Sequence, residues 1–137
     1  MFRSILVPVD LGHKEKLDKA ISVAARLSSS EGATVTLCGV TSSAPGSVAH
    51  TPEEFARKLE EFAAAQSSAR GVSFAARSVV SHDPSVDLDD RLNEVAHEIG
   101  ADLVVMASHV PGFLEHVISS HAGYLAAHTD ISVMVVR

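Results

Sequence analysis

Two short stretches of this chain set polar side chains directly behind apolar runs. In FRSILVPVD, Ile5, Leu6, Val7 and Val9 lead to Asp10. In ADLVVMASHVPG, residues 101–112, the run Leu103-Val104-Val105-Met106 leads to Ala107, Ser108 and His109, and then to Pro111 and Gly112. An apolar run with no polar alternation reads as a strand covered on both faces, and the proline and glycine behind it force a loop. A strand that opens into a small-residue loop before a helix is where an α/β sheet usually holds its ligand. The chemistry these residues offer is the holding of a phosphate. Ser108, Ser119 and Ser120 supply hydroxyls, and Gly112 permits close backbone approach. The last helix adds free N–H groups and a favourable dipole if it begins near Ser119-Ser120. A second reading stands beside it, in which the serines only cap and turn the chain. From the residues alone, Asp10 reads as a turn or helix-capping side chain.

Other chemistries find little support. The chain has eight histidines, and His109, His116, His121 and His128 follow one another at gaps of seven, five and seven. None of these gaps is the helical i, i+3 or i, i+4 spacing that zinc sites favour, and no cysteine joins them, so no metal site is expected. His109 stands apart from the others because it lies in the loop itself. The single cysteine, Cys38, sits in an apolar run and reads as a small core residue in a reducing compartment. There is no G-x-S-x-G elbow and no G-x-x-x-x-G-K-[ST] loop. Asp87, Asp89 and Asp90 cluster at the start of a helical segment, where acids suit the positive end of the dipole. The net charge of −6, without any Lys/Arg block, argues against duplex DNA or an anionic membrane as partner. Aromatics make up only 4%, which does not suit a stacking platform for single strands. No stretch approaches the roughly 20 apolar residues of a membrane span, and MFRSILVPVD has no signal-peptide layout. The expectation is a soluble cytoplasmic protein.

The elements that position these groups follow from periodicity. At 137 residues and 46% hydrophobic the chain has the size of one domain, spanning 1–137. Residues 2–9 form a first strand, with Pro8 at its end, where a missing N–H costs least. Leu17, Ile21, Ala24 and Leu27 fall at helical spacing and predict a helix over about 14–30, closed by Gly32. Residues 33–40 are a second strand, and 41–50 a Ser/Gly/Pro loop. Thr51 before Pro52-Glu53-Glu54 starts a helix that turns Phe55, Leu59, Phe62 and Ala63 inward and ends at Gly71. Residues 72–80 are a third strand and 81–84 a turn. The next helix carries Leu88, Leu92, Val95, Ala96 and Ile99. After the 103–106 strand, a last helix over about 114–128 turns Val117, Ile118, Ala122 and Leu125 inward, and ISVMVV is a fifth strand. Strands alternating with helices imply a doubly wound α/β fold with a five-stranded parallel sheet covered on both faces. The expected strand order is 3-2-1-4-5, which puts the topological switch between the first and fourth strands. The loops at Asp10–His13 and Ala107–Gly112 then meet at one crevice. The last strand is a short apolar edge, and pairing it with a copy of itself would remove that edge, so a homodimer is expected.

Three segments together, ILVPVD, ADLVVMASH and SSHAGYLAAHTDISVMVVR, resemble the universal stress protein family, and the resemblance runs from the first strand to the last. In that family the first strand commonly reads ILVPVD and the fourth DLIVMGSHG, followed by a glycine loop G-x-x-G-x9-G-[ST]. The loop here resembles most the subgroup reading A-S-H-R-P. The resemblance implies an adenine nucleotide alpha hydrolase-like fold. It also implies a small cytoplasmic protein, usually dimeric, that binds ATP or AMP, with magnesium where the ligand is ATP. Such members act as stress-linked binding proteins with at most slow ATP hydrolysis. Carried over, Pro8, Val9 and Asp10 would line the adenine and ribose side, and Val40 would meet the adenine with its backbone. Ala107, Ser108, His109 and Gly112 would approach ribose and phosphates. Ser119, Ser120 and His121 would take the place of the phosphate cradle.

The departures from the family pattern bear on this. Ala107 replaces the first glycine, as in the subgroup. Val110 stands where the family has arginine or glycine, and Ser119 replaces the cradle glycine, at a cost on the order of 1–2 kcal/mol if φ there must be positive. His121 is placed to substitute as a donor. With few basic partners for a triphosphate, AMP or ADP fits as well as ATP. The alternative, which Val110 and Ser119 favour, is a nucleotide-free interaction module that works through its dimer surface or a client protein.

Overall fold

The computed structural model describes residues 1–107 and 123–137, and every side chain among them except that of Ser85. Its elements are β1 (Ser4–Pro8), a 3-10 segment (Leu11–Lys16), α1 (Asp18–Glu31), β2 (Thr34–Ser42), α2 (Pro52–Arg70), β3 (Phe74–Ser81), α3 (Pro84–Glu98), β4 (Leu103–Ala107) and β5 (Ser132–Val136). Residues 123–128 are helical. The five strands form one sheet in the order β3-β2-β1-β4-β5, and every pairing is parallel. This is the doubly wound order expected from the alternation of strand and helix patterns.

β1 and β4 are apolar along Ile5–Val7 and Leu103–Ala107 because both of their faces are covered. Ile5 and Val7 of β1, Val35 and Leu37 of β2, and Leu103 and Val105 of β4 join a core with Ala20, Ile21 and Ala24 of α1 and Phe55, Leu59 and Ala63 of α2. The intervening Leu6, Cys38, Val104 and Met106 point the other way. They pack with Leu92, Val95 and Ala96 of α3 and with Leu125. Alternation survives in these strands, but it runs between two cores rather than between core and water.

Helix ends follow their chemistry. Thr51 Oγ1 accepts from the Glu54 N–H at 3.1 Å, Pro52 occupies the first turn, and the Glu54 carboxylate reaches back to the His50 N–H at 3.1 Å. α1 and α2 close on Gly32 and Gly71 at φ 72° and 67°, backbone that a side chain would strain. Several boundaries differ from the sequence expectation, most of them by one or two residues. β2 and β3 run on to Ser42 and Ser81, because the two strands pair in register as far as Ser42↔Ser81. The first helix proper starts at Asp18, after a 3-10 segment broken at His13 (φ −138°, ψ 51°). Leu11 and Leu17 are both buried, and six residues would set them about 120° apart around an α-helix. A kinked, tighter path turns both inward, and apolar spacing alone does not distinguish that path from one more turn of helix.

Candidate functional site: the mouth of the sheet at β1

The sheet opens where its winding reverses. β1 pairs with β4 only at Ile5↔Leu103 and Leu6↔Val104, while β4 stays paired with β5 as far as Ala107↔Val136. β1 and β4 therefore part before either strand ends. Pro8 lies beyond the last pair. In a parallel ladder successive N–H groups point to alternate neighbours, and the N–H of Val9 points to β2, where it donates to the Cys38 carbonyl at 2.8 Å. The position of the missing N–H of Pro8 therefore faces β4, past the end of the pairing, where no ladder bond is lost.

The same alternation fixes the β2 side of the opening. Cys38 turns its carbonyl to β1, so Val40, two residues on, turns its N–H and C=O the same way. β1 has ended at Pro8. One donor and one acceptor of Val40 thus lie side by side over the space beyond β1, while its side chain packs into the α3 core. Val9 is buried, so what it presents at the mouth is backbone.

Asp10 stands at the rim, about one-third exposed (33%). Its Oδ1 accepts from the Gly12 N–H at 2.9 Å, and its Oδ2 lies 3.0 Å from His13 Nδ1. The capping role read from the sequence is therefore filled. His13 was not among the residues expected at the site, and the available signal was its i, i+3 spacing from Asp10 within one loop. A Cβ added to Gly12 would stand 3.2 Å from Asp10 Oδ1 and 3.6 Å from a methyl of Val48, so the loop after β2 closes over this rim. Two lysines of the flanking segments have neighbours of their own. Lys58 bonds the Val48 carbonyl and pairs with Glu54 at 3.2 Å, and Lys14 lies 6.0 Å from the centre of the Phe62 ring.

Of the expected site residues, the structure brings Pro8, Val9, Asp10 and Val40 to one mouth, with Ala107 ending β4 across the parting of β1 and β4. Ser108, His109, Gly112, Ser119, Ser120 and His121 lie outside the described residues, as do Val110, Val117, Ile118 and Ala122. Several other reactive side chains have structural work. Burial pushes the Cys38 thiol up to about 12, against the pull of Arg77 and Arg91, so it is no nucleophile at neutral pH. Asp87 receives a hydrogen bond from the buried Ser81 hydroxyl, clamping α3 to the end of β3. His97 bonds the Asn93 carbonyl at 2.8 Å and Asp130 at 2.9 Å. His128 stacks on Tyr124 with ring centres 4.0 Å apart. Among the described residues no three His, Cys, Asp or Glu side chains converge as a metal site. No helix among them is long and apolar enough to cross a membrane. An open groove lined by Ala25, Ser29, Ser30 and Arg70 lies at the C-terminal ends of α1 and α2. That is the opposite end of the sheet from the mouth.

Comparison with known proteins adds to this geometry. The model of the Universal stress protein family matches residues 1–137. Universal stress protein G of Shigella flexneri is 32% identical over 151 residues, covering 100% of both chains. Among solved structures, a protein from the universal stress protein family of Burkholderia pseudomallei is 25% identical with a TM-score of 0.69, covering 97% of this chain and 94% of that one. The universal stress protein from Archaeoglobus fulgidus in complex with dAMP has a TM-score of 0.68 at 17% identity, covering 98% of each chain. An Arabidopsis thaliana universal stress protein family protein with AMP bound has a TM-score of 0.62 at 18% identity, covering 98% of this chain and 90% of that one.

Proposed function

The chain belongs to the universal stress protein family, and from that premise we propose that it binds adenine nucleotide at the β1 mouth, with little or no turnover. One observation carries the reading. Past the end of β1, the Val40 N–H and C=O form an adjacent donor and acceptor, the pattern that the N1 and N6 edge of adenine complements. Pro8 and Val9 floor that space, and Asp10 stands where a ribose hydroxyl would reach it. Ala107, Ser108, His109, Gly112, Ser119, Ser120 and His121 are assigned to the ribose and phosphate side. Relatives of the same fold bind dAMP and AMP, which supports the reading. AMP or ADP is favoured over ATP with magnesium, because Lys58 is already engaged with Val48 and Glu54. The setting we assign is cytoplasmic, as a one-domain homodimer paired through β5.

A second reading has its own observation. Both Asp10 oxygens already hold partners, and together with Val110 and Ser119 this favours a module that binds a client protein and no nucleotide. The test uses protein purified without added nucleotide. It is denatured, the released small molecules are identified by mass spectrometry, and ATP, ADP and AMP are titrated by calorimetry with and without Mg²⁺. Retained adenine nucleotide, or micromolar binding lost in a folded Asp10→Ala variant, supports the first reading. No release and no heat at millimolar ligand supports the second.

A further inference from the structure

The loop between β2 and α2 has the composition of a loose connection, SAPGSVAH over residues 43–50, but it is fastened at several points. The Ala44 N–H donates to Ser42 Oγ at 3.1 Å, and the Gly46 N–H to the Ala49 carbonyl at 2.9 Å. α2 holds the loop from outside. Lys58 Nζ donates to the Val48 carbonyl, and Glu54, one turn earlier on the same helix face, takes the His50 N–H at 3.1 Å and the Lys58 ammonium at 3.2 Å. These contacts set Val48 and Ala49 against the core shared with α1 and α2. They also place a Val48 methyl beside Gly12, whose own neighbour is the Asp10 carboxylate.

We propose that the 43–50 loop is a strap forming the outer wall of the nucleotide site, with Val48 as the side chain that covers the ribose end beside Asp10 and Lys58 as the positioning residue that latches it. The inference rests on the nucleotide reading of the mouth. Its physical content is preorganisation. An apolar wall beside a carboxylate removes competing water, which strengthens a hydrogen bond from a ligand hydroxyl. A wall already in place spares the ligand the cost of ordering it. If the strap opens for part of the time, apparent affinity falls in proportion to the closed fraction. Lys58 acts through Val48 and not through the phosphates, so adenosine and AMP should feel its loss equally.

The experiment compares the full-length wild-type chain with Lys58→Met, which keeps the apolar stem, with Lys58→Arg, which restores a donor, and with Val48→Ala. Calorimetry measures binding of adenosine and of AMP, and hydrogen exchange follows the amides of residues 43–50. In Lys58→Met we expect both ligands to weaken by one common factor, about fivefold if the closed fraction falls to a fifth. Exchange in the loop should quicken while the melting temperature stays near wild type. Lys58→Arg should restore affinity and protection together, and Val48→Ala should weaken both ligands while the latch holds. Affinity unchanged in Lys58→Met overturns the strap and leaves the nucleotide reading standing. Loss confined to AMP makes Lys58 a direct phosphate contact, and loss without faster exchange removes the latch, so either outcome also overturns the proposal. A wild-type chain that binds neither ligand at millimolar concentration overturns both the strap and the nucleotide reading.

Discussion

Gly12 and Gly39 are occupied by contact, not by flexibility. At Gly39 an added Cβ would stand 2.8 and 2.9 Å from Phe55 ring atoms and 3.4 Å from a Leu59 methyl, so α2 lies directly on β2 there. Gly39→Ala must push a packed aromatic ring aside, and overpacking of that kind costs about 1–3 kcal/mol. Chemical denaturation should show the loss as a lower midpoint with an unchanged slope, and an unchanged midpoint would mean that the ring yields freely. Gly12→Ala is the functional counterpart. Its Cβ would crowd Asp10 Oδ1 at 3.2 Å, so nucleotide affinity should drop while the fold holds, which calorimetry and thermal melting separate. Single residues were legible in the sequence only where their role is local. Asp10 as a cap, Thr51 as a cap and Cys38 as a buried thiol follow from type and neighbours. The pairing of His13 with Asp10 depends on a kink that spacing does not reveal. The backbone of Val40, named only through the family resemblance, is turned to the mouth because β2 outruns β1, a property of register that side chains do not encode.

Elements were legible wherever punctuation and apolar period agreed, as at Thr51-Pro52, Gly32 and Gly71, and the strand order followed from their alternation. What ties the elements at the far end of the sheet was not legible, because it joins residues a hundred positions apart. Asp102, just before β4, accepts hydrogen bonds from the Arg3 N–H at 3.1 and 3.0 Å and from the Ser4 N–H at 3.1 Å. Desolvation pushes this carboxyl up, but the bonds from Arg3, from Ser4 and from its own amide outweigh it and hold it below the usual 3.8. A carboxylate held low in the folded state stabilises the fold fully above its unfolded value, and that contribution is lost as pH falls through the folded one. Asp102→Asn should therefore melt earlier than wild type at neutral pH, and the gap should narrow as the pH is lowered below 3.8. A gap independent of pH would assign the effect to shape alone. His97 titrates with the opposite sign. The Asn93 carbonyl, and then the Asp130 carboxylate, raise it above 6.5, so its tie between α3 and the lead into β5 is at full strength below 6.5 and lost as pH rises through the raised value. The pair is half exposed or more (50% and 84%), so solvent screens it. In Asp130→Asn the small deficit in melting temperature should appear in mild acid and vanish in base.

At the scale of the whole molecule the unfinished feature is the edge of the sheet. Among the described residues, β3 and β5 each leave one row of backbone groups unpaired with any other strand. The β3 edge carries its own deterrent, since Arg77 is exposed there and pairs with Glu98. β5 carries none. Between Asp130 and Arg137 it reads ISVMVV, with Met134 and Val135 exposed at 36% and 43%. A bare apolar edge promotes open-ended association unless something closes it, and a two-fold pairing of β5 with its copy closes it without leaving a new edge. Each chain brings a net charge of −6, so two copies would repel at long range, and a β5 pairing would have to be held by apolar burial and strand hydrogen bonds. Salt screens the repulsion over about 8–10 Å at physiological strength, and association should therefore hold or tighten as salt is raised. Light scattering at micromolar protein should give twice 14.4 kDa in low and high salt. Val135→Lys should give a folded monomer, because a charge placed on that edge cannot be desolvated against its own copy. A wild-type mass of one chain would refute the β5 pairing, and a dimer that dissociates in salt would show that charge, and not this edge, holds the copies together.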